Sequence, residues 1–431
     1  MDRLETLAEV DWLAATPVKR RLIAELHRLV AGDIAGADAA HADFRAYRAQ
    51  ASQDLQDHAV FEVLHGALVA DGGPWHWRDW PEGYRSPRSA EVAAFAVDRL
   101  EAVEAEIFAQ WLAERSRAEA QRRCREAGMR IGMIADLAIG VEGAGSQAWS
   151  HPETMMRGIS IGAPPDYYSE TGQSWGLTTF SPPGLVQDGF AGFIAMLRAN
   201  LGAAGGLRID HVMGLERLWM VPEGASATEG AYVAMPAEDL YRLTALEAHR
   251  HEAVIIGEDL GTLPYGYREA LRDRGMAGMR VLRFERDGET HHPPEHWDAD
   301  AIAMSSTHDM IATAGWWRGA DLEGEGSGRA QDRAVLWRSL QRSGVVSGAE
   351  PPPHEPEAVV DAAIAYVAAT PSALAVVAVE DLLGLDVQPN APGTTTEKPN
   401  WRHRLPVDSA AVFDHPGAVR RAEVLARRRE A

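Results

Sequence analysis

The sequence predicts an α/β protein in which βα units surround a parallel sheet, preceded by a mainly helical N-terminal third. After Met129, short runs rich in β-branched residues alternate with helical patterns, which is typical of βα units. Before Met129, no run shows the two-residue period of a half-buried strand. Several predicted strands also end in ionisable residues, as expected when a site lies at the carboxyl ends of parallel strands.

The N-terminal third is predicted to form helices. Apolar residues recur at helical spacing through residues 16–32, with Pro17 at the first helical position. A longer amphipathic run covers residues 89–127, and Gly128 follows it as a residue suited to end a helix. We therefore expect residues 1–128 to be mainly helical and to contribute no strand to the central sheet.

The rest of the chain alternates between predicted strands and predicted helices. The strands are predicted at Met129–Ile134, Gly206–Ile209, Ala253–Gly257, Met279–Phe284, Ala301–Ser305 and Ala375–Val379. The main helices are predicted at Pro236–His251, Tyr265–Arg274, Asp332–Gln341, Glu357–Ala369 and Ala418–Arg429. These patterns predict one sheet of about six parallel strands.

Ionisable side chains lie at or just beyond the ends of five of these strands. They are Asp136, then Arg208, Asp210 and His211, then Glu258 and Asp259, then His308 and Asp309, and finally Glu380 and Asp381. Burying a carboxylate costs desolvation free energy, so one such residue could be a structural ion pair. The repetition at several strand ends instead favours a catalytic or ligand-binding site at this edge.

Composition excludes some partners. The 42 Lys and Arg against 63 Asp and Glu give a formal charge of −21, which argues against nucleic acid and against an anionic membrane surface. No apolar stretch is long enough to span a bilayer, and the N-terminus lacks the apolar core of a signal peptide. The single cysteine, Cys124, allows no intrachain disulfide and fits a reducing compartment, so we expect a cytoplasmic location.

No cofactor or metal is expected. The cluster of His291, His292 and His296 is interrupted by two prolines, and no helix carries two histidines with the spacing of a zinc protease. We interpret this cluster as a solvated loop. The glycines around Glu258 are too few, and in the wrong order, for a phosphate-binding loop.

Two carboxylates on facing strand ends suit the chemistry of glycosidic bonds. One can attack the anomeric carbon while the other, kept protonated, donates its proton to the leaving oxygen. A retaining mechanism requires the two carboxyl groups to lie about 5–5.5 Å apart. The 13 tryptophans could supply surfaces on which sugars stack, although most of them are expected simply to pack.

Five motifs together resemble the 4-α-glucanotransferase family (amylomaltase, disproportionating enzyme; glycoside hydrolase family 77) of the α-amylase clan. They are LRIDHVMGLERLW, GEDLGTLP, STHDMIATAGWW, GAPPDYYSETGQSWG and NAPGTTTEKPNWRHRL. The resemblance implies a (β/α)₈ barrel and the retaining transfer of 1,4-α-glucan segments (maltodextrin) to glucose or another glucan. It implies Asp210 as the nucleophile, Glu258 as the acid/base, and Asp309 as the group that stabilises the transition state.

The same resemblance implies which residues contact the glucan. They are Asp136, Asp166, Gln173, Trp175, Arg208, His211, His308 and Asn390. Arg208 also has a physical reason to be there, since it lies two residues before Asp210 on a strand and so faces the same side.

The chain departs from the family pattern at its start. The first two strands of the barrel and a Ser-Pro-Tyr loop are not found in residues 1–128, so the barrel is predicted to be incomplete. We expect residues 1–128 to be a helical segment that packs on the barrel and residues 129–431 to be its catalytic portion. Two other interpretations stay open: an α-glucan hydrolase or debranching-type enzyme of the same clan, and an inactive fragment of a longer transferase.

Overall fold

The computed structural model describes residues 2–32, 38–165, 169–322 and 328–430. Its helices in these ranges are α1 (Asp2–Glu5), α2 (Trp12–Ala31), α3 (Asp38–Ala49), α4 (Gln53–Ala70), α5 (Ala90–Asp98), α6 (Leu100–Glu126), α7 (Ser146–Ser150), α8 (Pro182–Gln187), α9 (Ala191–Leu201), α10 (Ala237–Arg250), α11 (Tyr267–Asp273), α12 (Thr313–Arg318), α13 (Arg329–Arg342), α14 (Glu357–Ala368), α15 (Val379–Leu383) and α16 (Pro416–Glu430). Within these ranges, no helix combines the length and the apolarity that crossing a bilayer requires. The five helices predicted after Met129 are confirmed as α10, α11, α13, α14 and α16.

The strands are short. They are β1 (Ile134–Leu137), β2 (Val141–Glu142), β3 (Ile159–Ala163), β4 (Gln173–Thr178), β5 (Gly206–Ile209), β6 (Arg217–Pro222), β7 (Ala231–Ala234), β8 (Val254–Gly257), β9 (Met279–Val281), β10 (Arg286–Asp287), β11 (Thr290–His291), β12 (Ile302–Met304) and β13 (Leu374–Val376). No strand is found in the described part of residues 1–128, as expected; one isolated bridge joins Glu9 to His403.

The chain divides into two compact units. The central unit is Thr16–Tyr265, and the terminal unit combines Met1–Ala15 with Gly266–Ala431. In the central unit, β1, β5 and β8 form a parallel sheet with β5 in the middle. In the terminal unit, β9, β12 and β13 form a second parallel sheet with β12 in the middle.

Two expectations about the parallel strands need correction. The predicted strand Met129–Ile134 ends where β1 begins, because Gly132 has a φ of 77° and the side chain of Gln121 binds the backbone on both sides of it. The predicted single sheet of six is also not observed, since the hydrogen bonds of the described residues join these strands in two sets of three. The strands of the second set are only three residues long and form short ladders.

A five-stranded antiparallel sheet in the central unit was not predicted. Its strand order is β2-β4-β3-β6-β7, and the register of β3 against β4 shifts between Ile161 and Gly162. Gly162 fits this close pairing because a Cβ there would lie 2.0 Å from the carbonyl oxygen of Gln173. The terminal unit also contains the small hairpin of β10 and β11.

The N-terminal helices differ from the prediction at their ends. Helix α2 begins at Trp12, where the Asp11 carboxylate accepts a hydrogen bond from the Ala14 N–H, and Pro17 lies inside the helix. The long predicted helix is interrupted at Arg99, which separates α5 from α6. Its predicted end is confirmed, because Gly128 follows α6 with a φ of 88°.

Helices α2, α3, α4 and α6 pack around an aromatic cluster. Phe44 and Phe108 contact edge to face, with their ring centroids 5.1 Å apart, and Trp111 packs on both. His27 is buried among them. The expectation that most tryptophans pack is confirmed, since seven of the 13 are buried: Trp77, Trp80, Trp111, Trp149, Trp297, Trp317 and Trp337.

Candidate active site

In the central unit, the guanidinium of Arg208 contacts two carboxylates, those of Asp136 and Asp210. Asp136 on β1 lies opposite Arg208 on β5 in the parallel register, and Asp210 follows the end of β5. Arg208 Nη1 donates to Asp136 Oδ1 at 2.6 Å, and Nη2 lies 2.9 Å from Asp210 Oδ1. Burial by itself would lower the pKa of the Arg208 guanidinium. The negative charges of the two aspartates together have the larger effect, so the pKa is raised. Arg208 is therefore charged, and it orients both carboxylates.

Glu258 follows the end of β8, the strand next to β5. Its carboxylate accepts hydrogen bonds from two backbone N–H groups, from His211 to Oε2 at 2.8 Å and from Leu260 to Oε1 at 2.9 Å. Burial, and then the negative charge of Asp210, raise the pKa of Glu258 to about 7, against the opposing effects of Arg208 and of both N–H donors. Near neutral pH this carboxyl group can therefore hold a proton and release it.

His211 joins these residues to the antiparallel sheet. Its backbone is left-handed, with φ 44° and ψ 58°, which directs its N–H towards Glu258. Burial lowers the pKa of its imidazole to about 4, so the ring is neutral at pH 7. The ring lies edge to face with Trp175, with 5.3 Å between the centroids.

Gln173 and Trp175 lie two residues apart on β4, and the indole Nε1 of Trp175 donates to Gln173 Oε1 at 3.0 Å. These contacts connect the described residues of the central unit that were predicted to be catalytic or to contact the glucan into one continuous group: Asp136, Gln173, Trp175, Arg208, Asp210, His211 and Glu258. Asp166, also predicted as a glucan contact, lies outside the described residues.

The other predicted residues form a second group, in the terminal unit. The Asn390 side chain donates to Asp309 Oδ1 at 2.6 Å, and His308 Nε2 lies 3.4 Å from Asp309 Oδ2. The backbone N–H of Asn390 donates to the carbonyl of His308 at 3.0 Å. The three predicted residues of this unit are therefore in contact with each other.

Sequence reasoning missed two members of this second group. Gln388 donates from Nε2 to the carbonyl oxygens of both Asp309 and Asn390, at 3.0 Å each, and so fixes the two segments together. The ring of Trp401 lies 5.3 Å from the ring of His308. Both residues lie within or beside the NAPGT…NWR motif, and this position in the sequence could have indicated that they belong to the site.

One residue predicted at a strand end, Asp381, has a structural role instead. Asp381 is fully buried in α15, where it accepts hydrogen bonds from the hydroxyls of Ser305 and Ser306 and from the N–H of Thr313. These three hydrogen bonds compensate for the burial of the carboxylate, so its position requires no ligand.

The histidine cluster differs from the predicted solvated loop. His291 is buried on β11, its Nδ1 lies 3.0 Å from the carbonyl oxygen of Leu282, and burial lowers the pKa of its ring to about 4. His292 is half-buried, with Nε2 3.0 Å from the exposed Asp287. Among the described residues, no group of three or more His, Cys, Asp or Glu side chains has the arrangement of a metal site.

A family model described as 4-alpha-glucanotransferase matches residues 2–409. The 4-alpha-glucanotransferase of Mycobacterium tuberculosis (strain H37Rv) is 35% identical over 446 residues, covering 99% of this chain and 59% of that protein. This chain thus spans about three-fifths of the length of that relative.

Solved structures agree with these matches. The amylomaltase of Corynebacterium glutamicum superposes with a TM-score of 0.82 at 27% identity, covering 97% of this chain and 60% of that one. An amylomaltase of Streptococcus agalactiae in complex with acarbose has the same fold, with a TM-score of 0.78 at 20% identity and coverage of 99% and 83%. The extent of the family match and the identity to the mycobacterial relative lead to one conclusion: the chain belongs to the 4-alpha-glucanotransferase family.

Proposed function

We propose that this protein is a 4-α-glucanotransferase that moves segments of 1,4-α-glucan to a 4-hydroxyl of glucose or of another glucan. The observation that carries the proposal is the pairing of Asp210, oriented by Arg208, with Glu258, whose pKa is raised to about 7. An ionised nucleophile beside a carboxylic acid kept protonated is what a retaining mechanism requires.

In the first step, a carboxylate oxygen of Asp210 attacks C1 of the glucosyl unit, and the bond from C1 to the leaving O4 breaks. Glu258 gives its proton to that oxygen, so the shortened glucan leaves as a neutral alcohol. In the second step, Glu258 takes the proton of an acceptor 4-hydroxyl, whose oxygen attacks C1 and releases Asp210. Glu258 is therefore protonated again at the end of each catalytic cycle. We expect the two carboxyl groups to lie about 5–5.5 Å apart.

The remaining residues are assigned to binding. Asp309 would hold sugar hydroxyls more strongly as the oxocarbenium character develops, and Asn390 orients its carboxylate. Arg208, Asp136, His211 and His308 would donate or accept hydrogen bonds at the edges of the sugar, whereas Trp175 and Gln173 would contact it from β4. We assign Asp166 to the glucan on the basis of the motif alone.

The architecture and the location are part of the same proposal. We infer a fold of the (β/α)₈ barrel type that is incomplete in this chain, with residues 1–128 as a helical segment that packs on the barrel and residues 129–431 as the catalytic portion. The amylomaltase fold of the solved relatives supports this inference. We also infer a cytoplasmic location, which fits the single cysteine.

Product analysis with maltotriose tests the proposal. Transfer should give glucose together with a ladder of longer maltodextrins, without a net gain of reducing ends. A net gain of reducing ends would instead identify a hydrolase, the alternative that differs only in what resolves the intermediate. An Asp210→Asn variant is the control, and circular dichroism with a melting curve should establish that each chain is folded. A folded wild-type chain that gives neither product would contradict the proposal.

A further inference from the structure

Trp401 combines an unfavourable backbone with an exposed aromatic ring. It is one of four non-glycine residues with positive φ in the described ranges, at 57°, and another of the four is His211 in the candidate active site. A bulky residue rarely adopts this conformation, and it persists only where the surrounding structure enforces it. Yet 54% of Trp401 is exposed, whereas seven other tryptophans are buried.

The backbone of Trp401 is held on both sides. Its N–H donates to the carbonyl of Pro389 at 2.8 Å, and its own carbonyl accepts a hydrogen bond from the indole Nε1 of Trp12 at 3.1 Å. The preceding Asn400 binds the N–H of Ala391 and the carbonyl and hydroxyl of Thr394 through its side chain. The position of the ring is thus set before any ligand arrives, which reduces the entropic cost of binding.

The next residue is fixed in the same way. The backbone carbonyl of Arg402 accepts from the N–H of Val10 at 2.8 Å, and its guanidinium Nε donates to the carbonyl of Val10 at 3.1 Å. Arg402 also forms an ion pair with Glu9, with 3.2 Å between Nη2 and Oε2. Hydrogen bonds and an ion pair from residues 9–12 therefore fix the position of the segment that carries Trp401.

The exposed ring lies beside groups suited to sugar hydroxyls. Its centroid is 5.3 Å from that of His308, and His308 contacts Asp309, which in turn binds Asn390. A pyranose ring presents C–H groups on its faces and hydroxyls at its edge. A flat apolar surface beside carboxylate, amide and imidazole groups is complementary to both features.

We propose that the indole of Trp401 is a stacking platform for a glucosyl unit of the glucan whose hydroxyls Asp309 and His308 hold. This inference rests on the proposed function and adds to it a specificity-determining contact. It explains why a large aromatic side chain is kept exposed at a backbone position that glycine would occupy without strain.

The test measures binding of maltoheptaose to the full chain by titration calorimetry, in the Asp210→Asn background so that the sugar is not consumed. Trp401→Gly and Trp401→Ala should each weaken binding about tenfold, and Trp401→Phe only about two- to threefold, because a phenyl ring keeps part of the stacking surface. Trp75→Ala is the matched control, since Trp75 is 63% exposed and lies in a different loop, in the central unit. It should bind as the parent does.

The two small substitutions separate stacking from a purely structural role. Glycine relieves the left-handed strain whereas alanine does not, so Trp401→Gly should melt at a higher temperature than Trp401→Ala. A stacking platform requires the two variants to lose affinity equally despite this difference. Affinity that follows the melting temperature, or that stays at the parental level in both variants, would overturn the inference. If the parent itself binds no maltoheptaose, the proposed function fails, and this inference fails with it.

Discussion

The backbone N–H of His211 donates a hydrogen bond to Oε2 of Glu258, with 2.8 Å between nitrogen and oxygen. His211 directly follows Asp210, so this bond ties the position of the proposed nucleophile to that of the proposed proton donor through the main chain. A second backbone bond, from the Val212 N–H to the Glu258 carbonyl at 3.1 Å, reinforces the connection. The relative placement of these two residues therefore depends on the main chain at the ends of β5 and β8 as well as on the Glu258 side chain.

Replacing Glu258 by Gln should separate proton donation from nucleophilic attack. Turnover of maltotriose should fall by about 10²- to 10⁴-fold, because the leaving oxygen no longer receives a proton. With α-glucosyl fluoride, whose leaving group needs no proton, formation of the glycosyl-enzyme should persist and be detectable by mass spectrometry. Asp210→Asn is the control and should be inactive with both donors. A folded Glu258→Gln chain that is equally inactive with the fluoride would mean that Glu258 is not the donor.

The raised pKa of Glu258 predicts a pH dependence of activity. The donor must be protonated, so kcat/KM should decrease as the pH rises through about 7. The same shift affects folding: a carboxyl group whose pKa rises from 4.5 to about 7 on folding contributes stability below pH 4.5, and that contribution is lost by about pH 7. The pH profile of kcat/KM, measured beside the melting temperature, checks both. A basic limb well above pH 8 would contradict the assignment.

Arg208 should not be replaceable by lysine. Its two terminal nitrogens bind two different carboxylates, Asp136 and Asp210, and an ammonium group cannot reproduce this fork. We expect Arg208→Lys to lower kcat/KM by about 10- to 100-fold, which corresponds to one charge-assisted hydrogen bond. Asp136→Asn, which keeps an acceptor for Nη1, should cost less. Equal kinetics of Arg208→Lys and wild type would show that the guanidinium orients neither carboxylate.

Gly162 should be sensitive to a single added methyl group. A Cβ at this position would lie 2.0 Å from the backbone oxygen of Gln173, so Gly162→Ala must displace β4 from β3. We expect a loss of about 1–3 kcal/mol in the free energy of unfolding, measured with urea, and weaker glucan binding because β4 carries Trp175. Gly143→Ala is the matched control, since its nearest neighbour would be a methyl carbon of Thr178 at 3.9 Å. A control as damaging as Gly162→Ala would rule out this steric explanation.

His27 should make the helical part of the central unit sensitive to acid. Neither ring nitrogen has a hydrogen-bond partner, and the ring packs against both Phe44 and Phe108. Burial lowers its pKa from 6.5; among the charges that face it, Glu104 and Glu101 favour the protonated form and Arg28 opposes it. The unfolded chain therefore takes up a proton first, so stability should decrease as the pH falls below about 6.5.

A His27→Leu variant isolates this effect. Its free energy of unfolding should exceed that of wild type by more at pH 5 than at pH 8, because leucine cannot be protonated. Urea unfolding at the two pH values checks the difference. Parallel pH dependences in the two proteins would place the acid sensitivity elsewhere.

The sequence predicted the parts of the fold whose pattern is local. Strands β5 and β8 are short apolar runs followed by Asp210 and Glu258, and their identity could be recognised from a few adjacent residues. The same is true of α10, whose apolar face repeats with a helical period, and of α14, whose apolar run is long enough for a buried helix. The contact of Arg208 with Asp210 followed from the two-residue period of a strand.

The missed parts depend on pairing between distant segments. The antiparallel sheet is built from strands of two to six residues, interrupted by residues such as Gly162 and Gly176, so no strand has a strong period of its own. Gln388 and Trp401 reach His308 and Asp309 across about 80 to 90 residues of chain, as their numbering implies. The motif beside Gln388 and Trp401 indicates that they lie near the site, but nothing local in the sequence identifies their partners.

The contacts of residues 9–12 with the segment around Trp401 also determine when this part of the structure can form during translation. The hydrogen bond from Trp12 to Trp401 joins residues 389 positions apart, so it can form only after translation has passed Trp401. At a ribosome adding about 5–20 residues per second, the first segment waits on the order of tens of seconds for its partner. The central unit, Thr16–Tyr265, emerges complete in the meantime and can fold as translation continues. The surface around Trp401 therefore forms only after all residues of the central unit have been synthesised.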